Sequence, residues 1–300
     1  MEQTASITSE VAAETRGMWH LLENIHAIVY FAPEVVDAAK RIGLKGFWMG
    51  YFAGRAAPFG TASDALVAAT FFNFCESMVG RALPDAWAMA TPDQILEARL
   101  EAIDATLRRV LDAEVLSSPE LRQAADLAEE ATGGCSVGGR PLFAATTTVP
   151  WPGPPHLRLW HAATLVREHR GDGHIAANVA AGFDGLDSLV MACGTGAVPR
   201  ARLQGARGWT DDEWDGATAR LVERGLFDGG GLTDLGRAER RAVELTTDAL
   251  ALEPWTHLGA GGTRRLRQLL EPLVAAVVSA GVVSFPNPIG LPPSQGTTQA

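Results

Sequence analysis

Apolar positions recur at spacings of three and four along almost the whole chain, the signature of amphipathic helices. Met18, Leu22, Ile25 and Val29 mark the first, with Ser9 as N-cap and an end near Tyr30. Pro33 opens the next, Glu34 to Ile42, and Gly43 closes it. Ser63 caps a third segment, Asp64 to Val79, which carries Phe71, Phe72 and Phe74. Thr91-Pro92 and Ser118-Pro119-Glu120 open helices that reach Asp112 and Thr132. Residues 133–155, rich in Gly, Thr and Pro, read as a connection. A helix from His156 to Glu168 follows; Gly171-Asp172-Gly173 breaks it, and a further helix runs from His174 to Ala181. Gly185 to Cys193 and Gly262 to Ala280 complete the helical set, ahead of the proline-rich Phe285-Pro286-Asn287-Pro288.

One segment reads differently. Thr210 and Glu213 form a capping box ahead of an amphipathic helix that carries Leu221 and ends at Arg224-Gly225. Leu226 to Thr233 then reads as two short strands around a glycine turn, and Thr233-Asp234-Leu235-Gly236 opens a helix to Leu252. Helix, β-wing, helix is the order of a winged helix. The pattern therefore predicts a mainly α fold: a multi-helix N-terminal region with a pocket (1–190), a winged-helix subdomain (191–255), and a C-terminal helix with a proline-rich tail that packs back (256–300).

Composition narrows the function. Lys+Arg 25 against Asp+Glu 35 gives a net charge of -10, which disfavours a general nucleic-acid binder. Residues 194–255 hold eight arginines against eleven carboxylates, and the wing tip Asp228-Gly229-Gly230-Gly231 has no cation. The winged helix is therefore expected to serve packing or dimerisation, so nucleic acid is not an expected partner and a homodimer is. Three widely spaced cysteines, Cys75, Cys135 and Cys193, give neither a disulfide framework nor a metal knuckle, which points to the cytoplasm. Cys75, among phenylalanines, reads as a buried apolar residue. The polar, acidic start is not a secretory signal, and no apolar run reaches spanning length.

GWTDDEWDGATARLVERGLFDGGGLTDLGRAE resembles the MarR-type regulators in its order of helix, RGL, wing and LTxxGR. The whole chain resembles a little-characterised family of helical actinobacterial proteins that end in such a segment. ENIHAIVYFAPE, GFWMGYFAGRAAPFG and LVREHRGDGHIAANVAAG carry that resemblance. It implies the fold and no settled activity.

Candidate chemistry gathers around histidines. Glu23 and His26, at i and i+3, share a helix face, the half-motif of a carboxylate-metal site; the alternative is a core-edge histidine bonded to the carboxylate. Arg167, Glu168, His169, Arg170, Asp172 and His174 cluster at the expected helix break, where an ion-paired helix end is the competing reading. Tyr30, Trp48, Tyr51 and Arg55 offer a stacking wall and an anion-binding fork for a small-molecule substrate, against plain core packing for the aromatics. His26, His169 and His174 are the candidate acid-base residues, and with Glu23 the candidate ligands of a transition metal (Fe, Cu or Zn) or of haem. His26 and His174 are expected within roughly 10 Å of each other, since a shared metal needs ligands about 2–3 Å from one atom. No Rossmann glycine fingerprint accompanies the winged helix, which argues against a methyltransferase, and the sequence holds no G-x-S-x-G elbow or P-loop. The first expectation is an enzyme or small-molecule-binding protein of specialised metabolism; the alternative is a ligand-responsive MarR-like regulator that binds DNA.

Overall fold

The computed structural model describes residues 2–291 apart from 197, 230, 286, 288 and 290, with side chains from residue 14 onward. Helices α1 (Glu2–His26), α2 (Ile28–Phe31), α3 (Pro33–Arg41) and α4 (Gly46–Ala56) come first, then a 3-10 turn at Ala57–Phe59. They lead to α5 (Asp64–Phe71), α6 (Glu76–Gly80), α7 (Leu83–Met89), α8 (Pro92–Val110), α9 (Ala113–Ser117) and α10 (Pro119–Thr132). Next are α11 (Pro141–Thr146), α12 (Pro155–Ala180) and α13 (Gly185–Cys193). The chain continues through α14 (Arg200–Arg207), α15 (Asp211–Glu223), the antiparallel strands β1 (Phe227–Asp228) and β2 (Gly231–Leu232), α16 (Asp234–Leu250) and α17 (Glu253–Ser279). The fold is mainly α. No single helix among the described residues is long and apolar enough to cross a membrane.

Six helix starts among the described residues follow from side-chain caps. Thr91 with Gln94, and Thr210 with Glu213, make reciprocal capping boxes, while Ser63 and Ser118 each accept an amide from the first turn they open. Four expectations are corrected. Helix α1 begins before Ser9, so Ser9 lies inside it. The 133–155 connection contains α11. The segment 64–79 is not one helix: Phe72, at φ 56° and ψ -55°, ends α5. Finally, α12 runs unbroken through Gly171-Asp172-Gly173. A Cβ on Gly173 would lie 2.8 Å from a terminal nitrogen of Arg140 and 3.2 Å from Cβ of Leu250. That glycine admits a neighbouring arginine and α16 rather than breaking the helix.

Helix α12 is the axis of the molecule, packed by α1, α10, α11 and α16. One apolar core forms around Trp160 between α1, α8, α10, α12 and α17, and a second gathers Phe52, Phe71, Phe74 and Val79. The third, from Ala177 to Val243, belongs to the winged unit and includes α13. Gly236 of the LTxxGR motif has a packing reason: a Cβ there would sit 2.0 Å from the Leu226 carbonyl oxygen. Residues 72–75 dock this unit onto the body. Asn73 O accepts from Trp209 Nε1 at 3.0 Å, and the Cys75 amide donates to Arg207 O at 2.9 Å.

Candidate functional site

The break in the aromatic helix at Phe72 opens a cleft of about 510 Å³ between the helical body and the winged unit. Trp19 and Glu23 of α1, Tyr51 and Arg55 of α4, and Arg167, Arg170 and His174 of α12 line one side. Ser188, Leu189, Ala192, Leu203, Arg207 and Arg240 line the other. Six arginines and two glutamates face this space. Two more carboxylates stand behind them: Glu168, bonded to Arg55 and Arg167, and Asp248, bonded to Arg16 and Arg170. Six cations against four anions leaves the cleft positive. Burial also pushes the Glu23 carboxyl up, weakening one of those anions.

Several arginines are oriented by aromatic rings. Arg55 lies 4.3 Å from the Phe71 centroid, Arg170 4.5 Å from that of Trp19, and Arg207 4.5 Å from that of Phe74. Arg207 donates to Ala206 O, and burial pulls its pKa down. Phe72, the only described non-glycine residue at positive φ, lines the same cleft, so backbone strain is held at its wall.

A second, smaller cavity of about 60 Å³ lies inside the body. His26, Tyr30, Thr164, Glu168 and Arg99 stand on its lining beside Val35, Ile42, Leu44 and Phe47. Tyr51 and Arg55 line both spaces.

The structure separates the residues that the sequence grouped. His26 Nδ1 bonds Thr164 Oγ1 at 3.0 Å, and its Nε2 bonds the Tyr30 hydroxyl at 2.9 Å. Thr164 Oγ1 already donates to Trp160 O, so His26 Nδ1 carries the proton and Nε2 accepts from Tyr30. His174 donates from Nδ1 to Thr247 Oγ1 in the same way, because that hydroxyl donates to Val243 O. His174 sits ten residues beyond Thr164 on α12, about 15 Å along the axis at 1.5 Å per residue, so the two imidazoles do not converge. His169 lines neither space; its Nε2 bonds Glu253 at 2.9 Å. Burial lowers all three, to about 4 for His169 and His174 and well below the usual range for His26, so they are neutral at pH 7. Glu23 accepts from Trp19 Nε1 at 3.3 Å and faces Arg167 rather than a metal. Among the described residues, no three His, Cys, Asp or Glu side chains are placed to hold a metal ion.

Arg55 is not an open fork either. Its Nε and Nη2 make a two-point pair with Glu168, at 3.1 and 2.9 Å. Burial opposes ionisation of Glu168, and Arg167 and Arg55 outweigh it and hold the carboxyl well below its ordinary value. Trp48 packs on Tyr51, Phe52 and Phe74 outside both linings. The sequence reading missed Arg99 and Arg207, which carry no motif and lie far apart in the chain.

Several arginines of the winged unit are paired on its own surface. Arg200 pairs with Asp211 and Asp215, Arg220 with Asp184 and Asp187, and Arg224 donates to the Ala181 and Gly182 carbonyls. Asp211, Asp212, Glu213 and Asp215 are left exposed at the start of α15, the helix before the wing. A shallower hollow beside β2 gathers Arg16, Arg237, Arg240 and Arg241 with Glu244 and Asp248. No curated protein and no solved structure matches the chain. Helix, turn, helix and wing, set on a body whose long axis is α12, agree with the family match over residues 15–284: the chain belongs to a helix-turn-helix family.

Proposed function

We propose that this helix-turn-helix protein is a small-molecule binder that takes an anionic, partly aromatic ligand in the cleft between its helical body and its winged unit. The observation that carries the reading is the excess of arginines over carboxylates around 510 Å³ of space walled by aromatic rings. That volume lies in the range of small-molecule sites, about 300–1,000 Å³. Guanidinium groups held over rings are pre-oriented for a planar carboxylate and lose little freedom on binding it. Because both halves of the molecule line the cleft, a ligand there bears directly on the seating of the winged unit.

The reading is one of binding rather than of acid-base chemistry. The histidines that would move protons are neutral near pH 7 and occupied by hydroxyls or a carboxylate. The test is calorimetric titration with indole-3-acetate against the wild type and Arg207→Met. The account expects micromolar to millimolar binding, weakened at least about tenfold by R207M and by raised salt. No binding by any of indole-3-acetate, benzoate and inorganic phosphate would overturn it.

Family membership favours a second reading, a regulator whose DNA affinity the ligand sets. Acidic α15 is a poor recognition helix, because its first turn would face phosphates or base edges with carboxylates. On this reading DNA contact passes instead through Arg237 and Arg241 beside the wing. Retarded migration of the adjoining intergenic DNA at low salt, lost in the Arg237→Ala/Arg241→Ala double variant, would support it. Binding unchanged in that variant would refute it.

A further inference from the structure

We propose that the inner cavity is a separate binding site for a short aliphatic carboxylate, with the Arg99 guanidinium as its counter-ion. Arg99 reaches this lining from α8, where it donates from Nη1 to Gly54 O at 2.7 Å and lies 5.4 Å from the Trp160 ring centroid. Its Nε is buried without a hydrogen-bond partner. The one carboxylate on the lining among the described residues is Glu168, already claimed by Arg55 and by Arg167 from two sides. Glu168 is thus spent on Arg55 and Arg167, and no carboxylate among the described residues of the lining is left to pair with Arg99. A buried guanidinium without its own carboxylate is costly, and burial pulls Arg99 down to about 10. An anion entering the cavity removes that cost.

The rest of the lining sets the ligand's shape. Val35, Ile42, Leu44 and Phe47 give an apolar wall, and Phe47 is 43% exposed, so the cavity extends to the surface. The space of about 60 Å³ is well below the roughly 150 Å³ that holds a benzene ring, which selects a short chain over an aryl group. Gly54 borders the space, and a Cβ there meets nothing within 4 Å. A larger side chain at 54 would therefore fill the cavity without disturbing α4, where leucine is also the better helix former.

The test is titration with sodium butyrate and with butyramide, which keeps the shape and lacks the charge. Wild type is expected to bind butyrate and to bind butyramide at least about tenfold more weakly. Arg99→Met and Gly54→Leu should each weaken butyrate at least about tenfold, while Arg207→Met leaves it unchanged. Arg99→Met is also expected to raise Tm, since it deletes an unpaired buried cation. Three results would overturn the assignment: no butyrate binding by wild type, equal binding of butyrate and butyramide, or full butyrate binding by G54L. Loss of butyrate in R207M with retention in R99M would place the anion in the outer cleft and also reject it. Indole-3-acetate binding that fails while this pattern holds would count against the outer-cleft reading alone.

Discussion

Along α12, Arg167, Glu168, Arg170 and Asp172 are enclosed, and each is tied to another element of the fold or to its neighbour on the helix. Along α15, Asp211, Asp212, Glu213 and Asp215 face solvent, and the arginines near them are spent on the unit's own surface. The same residue types thus do different work. A carboxylate buried between arginines compensates their charge, and removing it leaves buried cations with no counter-charge. A carboxylate on an exposed first turn offers only the weak favour of the helix dipole and a field that repels phosphate. The contrast supports the proposed ligand site in the cleft over one on the face of the winged helix.

Glycine substitutions give the largest separation. Gly185→Ala would push a Cβ to 1.9 Å from the Phe72 carbonyl oxygen, where residues 72–75 hold the winged unit. A loss above about 4 kcal/mol, or failure to fold, is expected. Gly216→Ala on exposed α15 meets nothing within 4 Å and should stabilise by about 0.5–1 kcal/mol. Urea denaturation of both variants checks the pair, and similar effects would erase the distinction between the regions. Glu168→Gln should cost about 3–5 kcal/mol by leaving Arg55 and Arg167 uncompensated, against a change within about 0.5 kcal/mol for Asp215→Asn. Equal urea midpoints for these two variants would sink the electrostatic contrast.

The pH dependence is smaller per group and its sign is fixed by burial. His161, His169 and His174 have folded pKa values near 4, below the unfolded value of about 6.5. Between pH 6.5 and 4 the unfolded chain binds more protons at these sites, so their neutral packing loses stability as the pH falls. Asp172 opposes this: burial raises it to about 6, so it gains stability over part of the same window. His26, held down in the same way, adds to the fall and Glu23, pushed up by burial, offsets part of it; with the histidines in the majority, stability decreases as the pH drops from 7 to 5. Denaturation midpoints at pH 7 and 5 measure it, and an unchanged midpoint would contradict the burial of these imidazoles.

Helical periodicity, caps and the order of helix, wing and helix were legible because each is a local rule. The capping box at Thr210 and the stop at Gly225 need only neighbouring residues to be read. Gly171-Asp172-Gly173 misled for the opposite reason. Glycine in a helix costs stability locally, and only the approach of Arg140 and Leu250 shows what Gly173 gains. The end of α5 at Phe72 was hidden similarly, since nothing in the run of phenylalanines marks the residue that takes positive φ. Of the candidate site residues, Glu23, His26, Tyr30, Tyr51, Arg55 and His174 do line cavities. Their pairing partners, Thr164, Glu168 and Thr247, come from elsewhere in the chain and turn would-be ligands into satisfied hydrogen-bonding groups.

Hydrogen exchange with and without indole-3-acetate tests the central claim, because the cleft is shared between the two halves of the molecule. Slowed exchange is expected on both walls, at residues 71–75 and 167–175 of the body and at 188–207 beside the winged unit, with α15 unaffected. Protection confined to one wall, or centred on α15, would contradict a ligand site built between the helical body and the winged helix.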